Sequence, residues 1–415
     1  MRFTISAACG AIQRTCLFLL MVLPGLPAQA ATPLAQAFAA AWERQPVAAA
    51  LGERARAAQA QQQVAAAWTA APPSLEVGTR SDRFNRNRGA VEQELGLALP
   101  LWLPGERDAS QNLAAASVAA VDRRSEALRL QLAQVLREAW WAWQAAHNEV
   151  ALASERVAAA TRLRDDVARR FRAGDLSRAD LNAAAGALAQ AEAQAAEVSS
   201  AAALAAFRLR NLTGSRLPEA LAGAAAEPLP AGGGVLAADQ HPQWLELQAR
   251  AQRADAEVEL ARQQTRANPE IALSTRRDRG ASGEAVDQTW ALSLRLPFGA
   301  GPRQEARIAT ARAEALELQG EAQRLQERLG YEGELAASQV AAARQQLAAA
   351  ESRAALAREN RAFYDKSFRL GESDLPTRLR IEAEAFEAER ALGRARIALA
   401  QGISQWRQSL GLLPE

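Results

Sequence analysis

Cysteine and methionine are nearly missing from this chain of 415 residues: Cys9, Cys16, Met1 and Met21 are the only ones, all close to the N-terminus. The rest of the polypeptide can form no disulfide and offers no sulfur ligand to a soft metal. Histidine is as scarce. His147 and His241 stand far apart in the pattern, and His241-Pro242 opens a helix, where an imidazole caps more readily than it catalyses. Aromatic residues make up only 5% of the chain, too few to fill one bulky core. Charge of either sign is not in excess. There are 49 Lys and Arg against 47 Asp and Glu, and Arg2 and Arg14 lie in the first thirty residues, so the remainder balances and offers no basic field to a nucleic acid. Beyond residue 30 no apolar run approaches the roughly 20 residues of a membrane-spanning helix.

The first thirty residues read as an export signal. Arg2 and Arg14 precede the apolar run Leu17 to Leu26, and Ala28-Gln-Ala30 supplies the small residues of a cleavage site. Pro24, Gly25 and Pro27 interrupt the run, which argues against a retained anchor, and no lipobox precedes Cys16. An exported chain of this size without a spanning helix is either a soluble periplasmic or secreted protein or one that crosses a membrane by strands.

What is abundant is repetition. Phe171-Arg-Ala-Gly174-Asp returns as Phe368-Arg-Leu-Gly371-Glu, and Pro46 matches Pro242, Pro100 matches Pro297 and Arg107 matches Arg303 at nearly the same offset. The offset is too long for a solenoid unit. It marks a duplicated half-molecule.

Most of each half is helix, built from Ala, Gln, Glu, Arg and Leu. Apolar residues at steps of three and four (Val121, Leu128, Leu132, Val135, Ala139, Ala142, Ala146) give a narrow, alanine-rich coiled-coil seam. Thr32 and Pro33 open the first helix, expected over 33–67. A long helix is expected over 106–171, with Gly174 as its left-handed stop, and Ser177 with Asp180 caps the next, over 178–212. The second half repeats this with 241–266, 303–368 and 375–410, stopped at Gly371 and restarted from Ser373 or Asp374. At about 1.5 Å per residue the helix over 106–171 is a rod of roughly 99 Å. One long helix then matches two shorter ones stacked end to end. Trp140, Trp141 and Trp143 are expected to pack against a neighbouring helix.

Between the first helix and the long helix of each half the period changes to two. Leu75, Val77 and Thr79 alternate with Glu76, Gly78 and Arg80; Gln93, Leu95, Leu97 and Leu99 alternate with Glu92, Glu94, Gly96 and Ala98. Ile271, Leu273, Thr275 and Trp290, Leu292, Leu294, Leu296 repeat the pattern. Each pair makes a hairpin (74–100 and 270–297) of about ten-residue strands, the length that crosses a bilayer when tilted. Strands packed apolar side inward on a helical body would show the same alternation. Charge on the other face suits a wet lumen, and Trp102, Trp290 and Phe298 lie near strand ends, where an aromatic girdle would sit. Four strands cannot close a barrel, so a membrane role demands several chains.

This order of elements, duplicated after a signal peptide, resembles the TolC-like outer-membrane efflux proteins over residues 31–411. The motifs are Leu99-Pro-Leu-Trp-Leu-Pro-Gly-Glu-Arg107 and its counterpart Leu296-Pro-Phe-Gly-Ala-Gly-Pro-Arg303, the openings Gln45-Pro46 and His241-Pro242, and the tips Arg172-Ala-Gly-Asp-Leu-Ser-Arg-Ala-Asp-Leu181 and Arg369-Leu-Gly-Glu-Ser-Asp-Leu375. The resemblance implies a mainly α fold with a small β part: duplicated coiled-coil hairpins in a trimeric α-barrel, and two β-hairpins per chain in a shared twelve-stranded outer-membrane barrel. It implies a homotrimer that extends into the periplasm, meeting a periplasmic adaptor (a membrane fusion protein) and an inner-membrane RND-type pump, with no enzymatic activity and no cofactor or metal. Gly174, Asp175, Leu176, Gly371, Glu372 and Ser373 would form the adaptor contact at the tips; Asp180, Phe368, Arg369, Asp374 and Arg378 would be gate candidates. Thr377 and Arg380 depart from the acidic residues of well-known members.

The Pro-Leu-Trp-Leu-Pro-Gly-Glu-Arg segment resembles the branch serving heavy-metal (cobalt-zinc-cadmium type) exporters, so metal cations or small toxic molecules are the implied cargo. The other readings are the outer component of a type I protein secretion system, a periplasmic coiled-coil adaptor or scaffold, and a secreted helical enzyme, for which no polar catalytic cluster is found. The expected organisation is a signal at 1–30, a first repeat at 31–213, a linker at 214–240 wrapping the helical body at its middle, and a second repeat at 241–415.

Overall fold

The computed structural model describes residues 32–214, 226–230, 238–299 and 301–415. The expected export signal and most of the expected linker lie outside the described residues.

Pro46 divides the first helical segment. Lacking an N–H and disfavouring helical backbone in the residue before it, it splits the span expected as one helix into α1 (Pro33–Glu43) and α2 (Pro46–Ala66). Strands β1 (Ser74–Ser81) and β2 (Val91–Pro100) follow, then α3 (Glu106–Ala173) and α4 (Arg178–Thr213). The second half runs α5 (Pro242–Gln263), β3 (Glu270–Arg279), β4 (Asp287–Arg295), α6 (Gly301–Arg369) and α7 (Leu375–Ser409). Pro242 opens α5 as Pro46 opens α2.

The 68 residues of α3 and 69 of α6 make rods of about 100 Å at about 1.5 Å per residue. Helices α1, α2 and α4 together contain as many residues as α3, so the α1–α2 pair and α4 laid end to end match one long helix. Helix α3 packs against α2, α4, α5 and α7, and α6 against α5 and α7.

The wall is thin. Its interior is a series of separate alanine- and leucine-rich clusters along the axis rather than one core. Of the seam read from the sequence on α3, only Leu132 is buried; Val135 is exposed, and the buried stripe is Ala133, Leu136, Trp140 and Trp141, packed against Leu34, Phe38, Ala41 and Leu209. The two indoles set that rotation, because each buries far more apolar area than an alanine at 139 or 142.

Near the middle of α3 a buried ion cluster joins the halves. Arg137 donates from Nε and Nη2 to the two oxygens of Glu227 at 2.9 and 2.6 Å. Arg407 of α7 approaches Glu227 at 3.3 Å and donates to the Pro228 carbonyl at 3.1 Å. All three charged side chains are buried, so the few described residues of the linker dock at the waist of the helical body.

His241 is buried at the same level, where its Nδ1 accepts the Gln243 N–H at 3.3 Å and caps α5. Burial pushes its pKa down to about 4, against a smaller opposing effect of the Gln408 backbone. A histidine held neutral in the fold contributes stability that is complete above its ordinary value of 6.5 and erodes as pH falls towards about 4. At about 1.4 kcal/mol per pKa unit the loss is about 3 kcal/mol. Denaturant titrations between pH 7 and 4 should show it, and His241→Asn, which keeps a capping acceptor, should flatten that slope.

The four strands form one antiparallel sheet in the order β1-β2-β3-β4. The two hairpins are joined through β2 and β3, with Leu97 opposite Leu273 and Leu99 opposite Ile271. In the principal contacts the strands touch only one another, so among the described residues no helix packs over the sheet.

Candidate functional site: an exposed apolar sheet face and paired helical tips

Register sorts the side chains. Leu75, Leu97, Leu273 and Leu292 make one cross-strand row; Val77, Leu95, Thr275 and Trp290 make the next; Leu99, Ile271 and Leu294 lie on the other side of the first. All project from one face, and all but the half-buried Leu99, Ile271 and Thr275 are exposed, Leu292 by 76%. Along β4 and just beyond it, Trp290, Leu292, Leu294, Leu296 and Phe298 form an exposed apolar column. Its eight residue steps are at most about 27 Å of extended chain, close to the apolar band of about 25 Å in transmembrane barrels, and an aromatic ring stands at each end.

The opposite face carries the charge. Arg80 pairs with Glu92 at 3.1 Å, Arg276 with Glu92 at 3.0 Å and Glu94 at 3.6 Å, and Arg295 with Glu270 at 3.5 Å. This is the polarity of an amphipathic sheet. The inward-packed alternative fails here, because the apolar face is exposed and meets no helix in the principal contacts. Strands β1 and β4 each keep one unpaired edge within the chain, and such an edge cannot stand in hydrocarbon.

The proline-glycine segment after β2 fixes the sheet to the helices. Leu101 N–H donates to the Pro269 carbonyl at 2.7 Å, Arg107 to that of Ala66 at 2.7 Å, and the Trp102 indole to that of Ala67 at 3.2 Å. Trp102 therefore ties the end of α2 and takes no place on the apolar column. Gly105 adopts a left-handed conformation before α3. Glu106 is buried and accepts from Leu103 N at 3.0 Å, Gln264 Nε2 at 2.9 Å and Asn268 Nδ2 at 2.5 Å. It binds the first half to the entry of the second hairpin.

At the far end of the rods the two tips are built alike. Gly174 and Gly371 have positive φ of 87° and 79°. Asp175 N donates to the Arg170 carbonyl at 2.9 Å and Glu372 N to that of Ser367 at 3.0 Å, each closing a Schellman stop. Ser177 caps α4 reciprocally with Asp180, whereas Asp374 caps α7 by accepting from Thr377 N at 3.0 Å. Thus the acid and the hydroxyl exchange places between the repeats, which accounts for Thr377 at an expected acidic position. Hydrogen bonds from the Thr377 side chain and backbone hold Asp374 below the usual carboxylate range. Asp180 and Asp374 are both engaged as helix caps.

The other gate candidates form one cluster. Phe368 is buried with Leu375 against Leu163, Val167 and Ala184 of the first tip, with half-buried Leu176 beside them. The Arg170 and Arg378 guanidiniums lie over its ring at 5.0 and 4.8 Å, and Arg170 donates to the Phe368 carbonyl at 3.1 Å. Within the protomer Phe368 is a packing residue joining the tips. Arg369 and Arg378 both donate to Asp365. Burial alone would raise the Asp365 pKa, but the Arg369 hydrogen bond and the charges of Arg378, Arg369 and Arg361 outweigh it and hold the carboxyl below its ordinary 3.8. Its stabilising contribution is therefore present above pH 3.8 and lost as pH falls below it. Because Arg369 is largely exposed, Asp365→Asn should cost about 1 kcal/mol or less, read as up to about fivefold faster amide exchange over 361–378 at neutral pH. Glu372 and Gly371 are exposed and Ser373 half-buried, with its hydroxyl unpartnered. Among the described residues no cluster of His, Cys, Asp or Glu could hold a metal ion, and no helix is long and apolar enough to cross a membrane.

Residues 43–215 match the family model described as outer membrane efflux protein. Over the whole fold the chain is similar to a membrane protein from Pseudomonas aeruginosa (18% identity, TM-score 0.73, 92% of this chain and 90% of that one). It is similar also to the open state of the Neisseria gonorrhoeae MtrE outer membrane channel (17%, TM-score 0.73, 92% and 89%). The chain has the fold of an outer-membrane channel. CusC, a structure described with conformational changes accompanying folding and transmembrane channel formation, is similar at 16% identity and TM-score 0.74, covering 92% of both chains. No curated relative matches by sequence.

Several residues that build this site were not singled out from the sequence. Glu227 sits in a Pro- and Ala-rich segment that gives no periodicity, and Asp365 and Arg170 are ordinary members of charged helix faces. Only Glu106 carried a signal, an acid in the first turn after Pro-Gly.

Proposed function

We propose that this chain is the outer-membrane channel of a tripartite efflux system, a TolC-like protein in which three copies close a twelve-stranded barrel in the outer membrane and hang a helical tunnel into the periplasm. The export signal at 1–30 directs it there, and the repeats at 31–213 and 241–415 contribute two hairpins each to the wall, joined by the linker at 214–240. The exposed apolar column from Trp290 to Phe298, set on a sheet that no helix among the described residues packs over, carries this reading. A periplasmic adaptor and an inner-membrane RND-type pump meet it at the Gly174 and Gly371 tips. The duct performs no chemistry. Metal cations or small toxic molecules are its cargo, chosen by the pump, since a passive wall selects mainly by width and charge.

Insertion into planar bilayers tests this. The closed tips should give small, cation-sensitive single-channel steps, and Asp365→Asn should increase their size by loosening the pairs to Arg369 and Arg378. A processed protein that stays in the aqueous phase and forms no channels would overturn the proposal.

A further inference from the structure

The loop end of the sheet has unpaired positive charge where a lipid headgroup would lie. Beyond the Trp290 row the face that carries the apolar band turns polar in one step: Thr79, Gln93, Arg277 and Gln288 form the next row, and Arg279 follows. Arg277 is exposed and donates only to Gln288, at 3.3 Å. The adjoining loop adds the exposed Arg83, Arg86 and Arg88. That loop is ordered: Asp82 accepts the backbone N–H groups of Arg88 and Ala90 at 2.8 and 3.0 Å, and the Arg88 carbonyl accepts Ser282 N–H from the second hairpin at 2.8 Å. The Asp82 carboxylate is thus occupied by backbone.

Sorting by face gives the contrast. On the charged face Arg80, Arg276 and Arg295 each have a carboxylate partner, whereas Arg83, Arg86, Arg88, Arg277 and Arg279 form no ion pair among the described residues. An internal role would supply them with counter-ions, as the opposite face does. Arg279 is half-buried and its Nε donates to the Gly89 carbonyl at 3.3 Å, which ties the strand end to the loop. We propose that the four exposed ones, Arg83, Arg86, Arg88 and Arg277, are a docking rim for the phosphate groups of anionic lipid in the leaflet that the loop end reaches. Trp290 sits at the interface below them, so the planar guanidinium forks stand at headgroup depth, where bidentate contact to phosphate is available. The inference rests on the membrane reading above and adds a lipid preference to it.

The test reconstitutes the full processed protein in phosphatidylcholine vesicles with and without phosphatidylglycerol and measures which lipid stays bound after detergent release, by native mass spectrometry. A basic residue near an anionic surface is worth about 1 kcal/mol, or about fivefold in retention. The protein should therefore retain phosphatidylglycerol over phosphatidylcholine, and Arg277→Gln should lower that preference about fivefold. Arg83→Gln with Arg86→Gln, in side chains that make no hydrogen bond to the described protein, should lower it further without disturbing the sheet. Arg276→Gln, on the charged face at neighbouring height, should leave it unchanged, and free inorganic phosphate should not compete. Equal retention of both lipids, or a preference untouched by both rim variants, would overturn the proposal while leaving the channel reading intact. Failure to insert into either vesicle would overturn both.

Discussion

Replacing Leu294 with arginine is expected to abolish assembly in the outer membrane, and replacing its neighbour Ser293 with arginine is not. Leu294 lies in the middle of the apolar column, opposite Ile271, while Ser293 lies on the charged face opposite Ala272. An arginine on the lipid side of a barrel near the bilayer midplane costs about 2–4 kcal/mol. A closed oligomer meets that cost once per chain, so a trimer loses about 6–12 kcal/mol on the same estimate, comparable with the whole stability of a domain. Ser293→Arg places its guanidinium on the face that already holds Arg295 and Glu270, where water remains in reach. The measurement is the fraction of each variant recovered as a heat-modifiable oligomer from the outer-membrane fraction. Equal recovery of the two variants would remove the distinction between the faces on which the site rests.

The second large effect is expected at the waist. Glu227→Ala leaves Arg137 and Arg407 buried with no carboxylate between them, and breaking one partner of a buried ion pair typically costs about 3–5 kcal/mol. The geometry favours the upper part of that range, since Arg137 makes a two-point contact with the Glu227 carboxylate. Gln408 Oε1, at 2.6 Å from Arg137, and the Glu415 carboxylate, at 3.0 Å from Arg407, would offset part of the loss. Glu53→Ala, which removes an exposed pair with Arg56 on α2, should change stability by no more than about 0.5 kcal/mol. Denaturant unfolding of the two variants should separate them clearly. Replacing Arg137, Glu227 and Arg407 together by apolar residues should be milder than Glu227→Ala, because the penalty comes from uncompensated charge.

Features that depend on local periodicity were legible in the sequence. Alternation over 74–100 and 270–297 gave the strands within a few residues of β1 to β4, because a half-exposed strand must repeat every two residues. The two tips were legible because a left-handed stop favours glycine and a helix start favours Ser or Asp, here Ser177 and Asp374. The orientation of the helix faces was not. Alanine is so frequent that a step of three or four starting at Val121 is as good as one starting at Ala133, and only the placement of Trp140 and Trp141 selects between them. The surroundings of Phe368 were not legible either: the resemblance made it a gate candidate, and the fold buries it between Arg170 and Arg378, a contact that requires both tips to converge. Glu227 could not have been found, since its partners are distant in sequence and its own neighbours have no repeating pattern.

The number of chains in the particle extracted from the outer membrane tests the central claim most directly. Native mass spectrometry of the detergent-purified, processed protein should give three chains, because the open edges of β1 and β4 must be satisfied by other copies and three copies supply twelve strands. A single chain that remains in aqueous solution without detergent would contradict it.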